Sequence, residues 1–203
     1  EYIRVILAEL QRIGSHLMTF GTYGLDMGAF TAFMYGFRDR EMILDIFESI
    51  SGARLLYNFM WIGGTARDIT PEQVAKIKSF LDYFEPKIDE YNTLLSYNKI
   101  FIERTKDVGV LDLPTAFSYG LTGVMLRGAG YKWDLRKDEP YSIYKEVEFD
   151  VPVASGEMGT LGDCWDRHIV RMREMKQSVR IIRQLIDGIP AGPHRGKIFY
   201  FIE

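Results

Sequence analysis

Apolar residues recur at spacings of three and four in four long stretches of the chain, which is typical of amphipathic helices. The first stretch covers about residues 2 to 20, the second about 29 to 50 and the last about 163 to 187. The first is defined by Ile3, Ile6, Leu7, Leu10, Ile13, Leu17 and Phe20. Glycines at positions 21, 24 and 28 are expected to loosen the chain between the first two helices.

The third stretch has the clearest helical spacing, and it carries Val74, Ile77, Leu81, Phe84, Ile88, Tyr91 and Leu95. Thr70 offers a capping hydroxyl and Pro71 takes the first helical position, so a helix is predicted to begin there. Pro86 lies inside the pattern and is expected to kink this helix about one turn upstream.

Shorter patterns separate the third and fourth helices. Helical turns are predicted at about 99–106 and 114–120. Apolar and acidic residues alternate in 145–153, which predicts a half-buried strand at a sheet edge, because Pro152 cannot donate to a ladder. Residues 197–203 predict another strand. The predicted fold is therefore mainly α, a bundle of long amphipathic helices with a minor β element.

Composition limits the domain organisation and the class of protein. The 203 residues are enough for one large domain or two small ones; we expect a helical core domain in residues 1–190 and, in 191–203, a linker and β-type segment of a truncated C-terminal region. The net charge of −3 argues against nonspecific nucleic-acid binding. Neither an apolar run of about 18 residues nor a secretory signal occurs, so we expect a soluble intracellular protein.

Sequence motifs for common cofactors and catalytic sites are missing. The chain has no GxGxxG after a predicted strand, no P-loop, no HExxH and no GxSxG. Cys164 is the single cysteine, so the chain cannot form an internal disulfide or supply the thiolates of an iron–sulfur cluster. The three histidines, at 16, 168 and 194, are too scattered to predict a metal site.

Three features allow two interpretations each. His16 lies at the edge of the first apolar stripe, either as a satisfied core residue or as a group that tunes something beside it. Residues 37–41 are either a solvated helix face with an Arg38–Glu41 pair or charges buried at a subunit interface. Residues 123–130 form either an ordinary glycine loop or a backbone that closely approaches a cofactor or a neighbouring protein.

Short motifs follow one another in a specific order along almost the whole chain. They are Arg-Ile-Gly-Ser-His-Leu at 12–17, Leu-Asp-Met-Gly-Ala at 25–29, Phe-Arg-Asp-Arg-Glu at 37–41, Ser-Gly-Ala-Arg at 51–54, Ile-Gly-Gly at 62–64, Gly-Val-Met-Leu-Arg-Gly-Ala-Gly at 123–130, Trp-Asp-Leu-Arg-Lys at 133–137, Glu-Phe-Asp-Val-Pro-Val at 148–153, Gly-Asp-Cys-Trp-Asp-Arg at 162–167 and Arg-Met-Arg-Glu-Met at 171–175. Together they closely resemble the 49 kDa subunit family of respiratory complex I, the proton-pumping NADH:quinone oxidoreductase.

The resemblance implies a fold, a cofactor environment and a set of partners. It implies a peripheral-arm subunit that is related to the large subunit of nickel–iron hydrogenases, has lost their metal-binding cysteines and is not catalytic alone. A partner subunit would bind the terminal [4Fe–4S] cluster, and quinone would be reduced in a chamber between the two. This chain alone would bind no cofactor. The complex would lie on the cytoplasmic side of the bacterial inner membrane, or the matrix side in mitochondria, in contact with membrane subunits.

The resemblance also assigns candidate site residues. His16 matches the family histidine that approaches the cluster, where its protonation would be coupled to the cluster's redox state. A hydrogen bond from His16 to a cluster sulfur would raise the cluster's reduction potential. Arg54, Arg127 and Arg136 would carry charge at the subunit interface or along the coupling route.

Parts of the family pattern are expected outside this sequence. The family's β-hairpin, whose histidine and tyrosine contact the quinone headgroup, would lie upstream of Glu1, and the C-terminal domain is also absent. Family members usually have several dozen residues between the positions that match 191 and 197.

Two rival functions follow from the same resemblance. A catalytic hydrogenase subunit needs cysteine pairs, which one cysteine cannot supply. A scaffold subunit of a related ferredoxin- or hydrogenase-linked ion-pumping complex stays open as an alternative, because other subunits would bind the electron donor.

Overall fold

Helices account for most of the structure, a computed structural model that describes residues 1–196. In chain order the helices are α1 (Tyr2–Asp26), α2 (Phe30–Ser51), α3 (Pro71–Tyr91), α4 (Lys99–Thr105), α5 (Leu113–Ser118), α6 (Gly123–Gly128), α7 (Leu135–Asp138) and α8 (Cys164–Ile186). A two-stranded antiparallel hairpin, β1 (Met60–Trp61) and β2 (Gly64–Thr65), lies between α2 and α3. The prediction of a mainly α fold with a minor β element is confirmed.

The four long helices share one hydrophobic core. Helix α1 packs against α2 and α8, and α3 packs against the same two helices. All seven residues of the predicted α1 stripe are buried, and α3 buries its own stripe from Ile77 to Tyr91. Burying one such side chain stabilises the fold by about 1.5–3 kcal/mol. In residues 1–196 no helix is long and apolar enough to cross a bilayer.

Gly21 and Gly24 lie within α1 and do not end it, contrary to expectation. The helix continues through Gly21 and Gly24 to Asp26, and Gly28 follows it with φ of +85°. A Cβ at Gly24 would lie 2.7 Å from the Cβ of Ala32 in α2. Glycine is therefore used here for close contact between two helices, at a modest cost in helix propensity.

Helix α3 begins where the sequence predicts. Thr70 accepts a hydrogen bond from the Gln73 backbone N–H at 3.3 Å, and the Gln73 side chain accepts one from the Thr70 backbone N–H at 2.9 Å. This reciprocal capping box satisfies two backbone donors that a helix start leaves free. The helix continues through Pro86 and is followed by a π-helical turn at Asn92–Ser96.

The strand predicted at 145–153 is wrong, although the alternation behind it is real. Tyr144–Glu146 forms a 3₁₀ turn, and the extended residues that follow belong to no β-ladder. Val147 and Phe149 are buried, while Glu146, Glu148 and Asp150, which alternate with them, are exposed. Glutamine side chains of α8 replace the partner strand, because Gln184 and Gln177 accept from the backbone N–H groups of residues 148 and 150, each at 2.9 Å.

Of the predictions for the other short segments, some are confirmed and others are not. The turns predicted at 99–106 and 114–120 correspond to α4 and α5. Residues 123–128, proposed as part of a glycine loop, form α6. The strand predicted at 197–203 lies outside the described residues.

Candidate functional site

Three of the four predicted site residues lie in one buried group of charged side chains. His16, Arg127 and Arg136 are 7 %, 3 % and 2 % exposed. They come from α1, α6 and α7, which are distant in sequence and meet beside α8. We call the group the ionic cluster, and its members are Glu9, Arg12, His16, Arg127, Asp134, Arg136, Tyr144, Glu174 and Ser178.

His16 is held by a carboxylate of α8. Its Nε2 lies 2.7 Å from Oε2 of the fully buried Glu174. Burial alone would raise the pKa of Glu174, but the hydrogen bond from His16 and the positive charge of Arg127 outweigh it and lower that pKa to about 2. An ionised carboxylate only accepts hydrogen bonds, so Nε2 of His16 carries a proton and donates it.

The other ring nitrogen of His16, Nδ1, makes no hydrogen bond within residues 1–196, and the residue as a whole is 7 % exposed. Burial lowers the pKa of His16 below its ordinary value, and the contact with Glu174 offsets part of that effect. The imidazole is therefore neutral near pH 7, with the lone pair on Nδ1.

Arg127 joins α6 to α8 through the same carboxylate. Its Nε donates to Oε1 of Glu174 at 2.9 Å, its Nη2 donates to the same oxygen, and its Nη1 donates to the backbone carbonyl of Trp133 at 2.9 Å. The neighbouring Gly128 allows this approach, because a Cβ there would lie 2.7 Å from Cγ of Arg167. The close backbone contact considered for 123–130 is thus made with α8 of the same chain.

Glu9 organises the second half of the ionic cluster. This fully buried carboxylate accepts from Nη1 of Arg136 at 3.0 Å, from the Tyr144 hydroxyl at 2.6 Å and from the Ser178 hydroxyl at 2.6 Å. Arg136 also donates to Asp134, with Nη2 and Oδ2 separated by 2.7 Å. Burial alone would raise the pKa of Glu9. The neighbouring guanidiniums lower it by more than burial raises it, so the pKa lies below its ordinary value and the group stays ionised.

Sequence reasoning missed both central carboxylates, although a signal existed. Glu9 follows Ile6 by three positions and precedes Ile13 by four, so it lies on the buried stripe of α1. Glu174 follows the buried Val170 by four positions in α8. An acidic residue at a stripe position needs a buried cationic or hydroxyl partner. This rule predicts burial, but it does not name the partner.

A groove between α1 and α8 begins one turn beyond His16. Its volume is about 330 Å³ and it is lined by Thr19, Thr22, Tyr23, Asp26, Cys164, Arg167 and Arg171. Arg171 is half-buried and donates to the backbone carbonyl of Arg167, which donates to the carbonyl of Gly162 and to Sγ of Cys164. In residues 1–196, neither guanidinium lies within 4 Å of a carboxylate.

The other cationic side chains of α8 are paired with carboxylates. Arg173, Lys176, Arg180 and Arg183 each form an ion pair with at least one carboxylate. Burial lowers the pKa of Arg171 below its ordinary value, and the negative charge of Glu174 offsets only part of that effect. Arg167 and Arg171 therefore bring positive charge to the groove without forming an ion pair with a described carboxylate.

Arg54, the fourth predicted residue, lies apart from the ionic cluster. Its side chain is 37 % exposed and pairs with Glu41, Asp45 and Glu48 along α2. Surface pairs of this kind contribute little to stability.

The charge run at 37–41 divides in two. Its proposed Arg38–Glu41 pair does not form, because Arg38 donates to Asp39 instead, at 2.7 Å. Asp39 is fully buried within this chain and accepts from the hydroxyls of Tyr83 and Tyr91. The run is therefore neither a wholly solvated face nor evidence for a subunit interface.

The described residues offer no ligand set for a metal ion or cluster. No group of three or more His, Cys, Asp or Glu side chains in residues 1–196 is arranged to hold a metal. A [4Fe–4S] cluster needs four thiolate ligands in its common form, and the sequence has one cysteine. The residues present therefore do not fit such a cluster as ligands, and any contact with one has to be indirect.

Comparison with known proteins places the chain among the subunits of respiratory-chain dehydrogenases. Residues 26–200 match the family described as respiratory-chain NADH dehydrogenase, 49 Kd subunit. The chain belongs to this family.

Relatives named as the D subunit of NADH-quinone oxidoreductase agree with the assignment. The chain is 51 % identical over 194 residues to the protein of Chlorobaculum tepidum, covering 96 % of this chain and 48 % of the relative. It is 52 % identical over 190 residues to that of Pelodictyon phaeoclathratiforme, covering 94 % and 48 %. A corresponding protein of Cytophaga hutchinsonii is 51 % identical over 195 residues, covering 96 % and 50 %. The chain therefore spans about half the length of these relatives.

Proposed function

We propose that this chain is the helical core of a 49 kDa-type subunit of a proton-pumping NADH:quinone oxidoreductase and is not catalytic alone. In this role residues 1–190 form a hydrogenase-large-subunit-like bundle that makes one wall of the quinone chamber. Residues 191–203 lead toward a further region. The complex lies peripherally on the cytoplasmic side of the membrane, or the matrix side in mitochondria.

The proposed role of His16 is to tune the terminal [4Fe–4S] cluster of a partner subunit. The single observation that carries the proposal is its environment: an imidazole that is only 7 % exposed and fixed through Nε2, with Nδ1 free of hydrogen bonds in residues 1–196. The adjacent groove adds Arg167 and Arg171, which lack carboxylate partners in the described part of the chain. Positive charge favours a neighbouring anionic group, and an iron–sulfur cluster with four thiolates is anionic. Nδ1 of His16 becomes a hydrogen-bond donor to such a group only when the ring is protonated.

We include Arg127 and Arg136 in the proposal as buried charges that lie behind His16 and the groove. Both lie in the ionic cluster, whose Glu174 and Glu9 join α6 and α7 to α1 and α8. Arg54 lies outside the cluster, so its part in the coupling route rests on the family resemblance alone.

Replacing His16 with methionine in the assembled complex tests the proposal. We expect the midpoint potential of the terminal cluster to fall and its pH dependence to flatten, because the substitution removes the titrating ring and with it the Nδ1 donor of the protonated state. The measurement is an electron paramagnetic resonance redox titration at several pH values from about 6 to 8. One proton per electron gives at most about 59 mV per pH unit.

Gln11→Met is the matched control, since Gln11 lies on the exposed face of the same helix. An unchanged potential and slope in His16→Met would contradict the proposed role. Mass spectrometry of the co-purifying subunits decides between this enzyme and a ferredoxin- or hydrogenase-linked relative, because a flavin- and NADH-binding module accompanies only the former.

A further inference from the structure

Glu174 contacts two functional candidates with its two oxygens. Oε2 accepts from His16 at 2.7 Å, and Oε1 accepts from both Nε and Nη2 of Arg127. All three side chains are buried, and they come from three different helices. Arg127 holds Oε1 through two donors and His16 holds Oε2, so the two oxygens of the carboxylate are fixed from opposite sides.

We infer that Glu174 is the positioning residue of His16: it holds the ring through Nε2 and supplies the negative charge against which the ring takes up a second proton at Nδ1. The inference rests on the proposed function, because it assigns the control of the histidine on which that function depends. Glu174 lies behind the ring, so it acts through His16 and contacts no reacting group.

The proton balance follows from the geometry. Neutral His16 has its one proton on Nε2, donated to an ionised Glu174. A proton arriving from solvent forms a bond to Nδ1, and the ring becomes an imidazolium. The pair then changes from a net charge of −1 to a net charge of zero. Both nitrogens are donors in the protonated state: Nε2 still donates to Glu174, and Nδ1 carries the added proton.

Charged groups on three helices shift the pKa of His16, some upward and some downward. On α8, Glu174 raises the pKa of His16, whereas Arg171 lowers it. Arg12, one turn before His16 on α1, also lowers it. Arg127 of α6 acts through Glu174, and the remaining titratable groups of the groove are Tyr23, Asp26, Cys164 and Arg167. Burial lowers the pKa further, so without Glu174 nothing in this set except the distant Asp26 favours the imidazolium.

Histidine hydrogen exchange measures this directly in the purified, assembled complex. The slow exchange of the ring C2 hydrogen, followed by mass spectrometry across a pH series, gives a separate titration midpoint for each histidine. His168 serves as an internal reference, because burial lowers its pKa to about 3. The readout does not depend on electron transfer.

Two variants of opposite sign test the inference. Glu174→Gln is expected to lower the His16 midpoint by about one pH unit or more, a tenfold loss of proton affinity, because the negative charge is removed. Arg171→Gln is expected to raise the midpoint. Glu157→Gln is the matched control, because it removes a carboxylate paired with Arg173 of the same helix and should leave His16 unchanged.

Glu174→Asp covers the case in which Glu174→Gln does not assemble, since it keeps a negative charge beside Arg127. The shorter side chain loses the direct contact with Nε2, so its midpoint should also lie below that of the natural protein. A midpoint that stays within about 0.3 pH unit of the natural value in whichever Glu174 variant assembles overturns the inference.

Redox titration of the same variants separates this inference from the proposed function. If His16→Met leaves the cluster potential and its pH slope unchanged, the proposed function fails even where Glu174→Gln shifts the His16 midpoint. If His16→Met abolishes the slope but Glu174→Gln moves neither the midpoint nor the slope, the positioning role fails alone.

Discussion

Glu9 shows how one residue fixes the geometry of a buried region. Its two oxygens accept from side chains of four different segments, and it is fully buried. In the cluster as a whole, the three carboxylates Glu9, Asp134 and Glu174 face the three guanidiniums Arg12, Arg127 and Arg136. Such an arrangement is stable only while every charge keeps its partner.

Removing the charge of Glu9 should therefore be costly. We expect Glu9→Gln to destabilise the full-length subunit by about 3–5 kcal/mol, because Arg136 keeps its charge and loses one of its two carboxylate partners. Chemical denaturation followed by circular dichroism measures the change. Glu41→Gln, which removes an exposed partner of Arg54, should cost less than about 1 kcal/mol. Equal costs for the two variants would contradict the distinction between buried and surface pairs.

Sequence reasoning reached His16 but not its environment. The edge position on an apolar stripe correctly predicted a buried ring with a polar partner. The partner itself, Glu174, lies 158 positions away, and no local pattern links the two. Long-range ion pairs depend on how helices pack, and helix packing is not encoded in spacing alone.

At the scale of elements, close contacts between helices explain the glycines of α1 and α2. A Cβ at Gly36 would lie 2.8 Å from the carbonyl oxygen of Leu17, which is backbone and cannot move aside. At Gly14, in contrast, the nearest atom would be 3.8 Å away, an ordinary contact distance. The same residue type thus has a packing role at one position and none at the other.

The same substitution should have opposite effects at these two positions. Gly36→Ala is expected to destabilise the full-length subunit by about 1–3 kcal/mol, since the clash outweighs the gain in helix propensity. Gly14→Ala should stabilise it by up to about 1 kcal/mol, because alanine is a better helix former and has room. Thermal or chemical unfolding measures both, and destabilisation by Gly14→Ala would contradict this explanation.

Element boundaries could be predicted where local chemistry decides them. Thr70 and Gln73 form a capping box from adjacent residues, so the start of α3 was predictable. The segment at 147–153 was not, because alternation reports that one face is buried and says nothing about what satisfies the backbone. Gln177 and Gln184 of α8 do so here, and both are remote in sequence.

At the scale of the whole molecule, buried histidines make stability depend on pH. His168 is fully buried, lies 2.9 Å from the Ser96 hydroxyl, and has its pKa lowered by burial to about 3. In the unfolded chain its pKa is near 6.5. Between these values the unfolded state binds the extra proton, so stability is fully present above about pH 6.5 and decreases as the pH falls toward 3.

We expect His168 alone to reduce the unfolding free energy by about 2 kcal/mol between pH 7 and about pH 5. Replacing it with glutamine should flatten this part of the pH profile, whatever it does to the stability at pH 7. Denaturation of the full-length subunit at a series of pH values measures the slope. An unaltered slope in His168→Gln would contradict the assignment.

The contact between α1 and α8 also affects how the chain folds while it is being synthesised. Glu174 is made 158 residues after His16, and a ribosome adds about 5–20 residues per second. For about 8–30 seconds, the first helix exists without the carboxylate and the apolar surface that later cover it. Of the two long helices that pack against α1, α2 is synthesised first and α8 much later. Until α8 is synthesised, the apolar surface of the α1–α2 pair has to be kept from associating with other molecules.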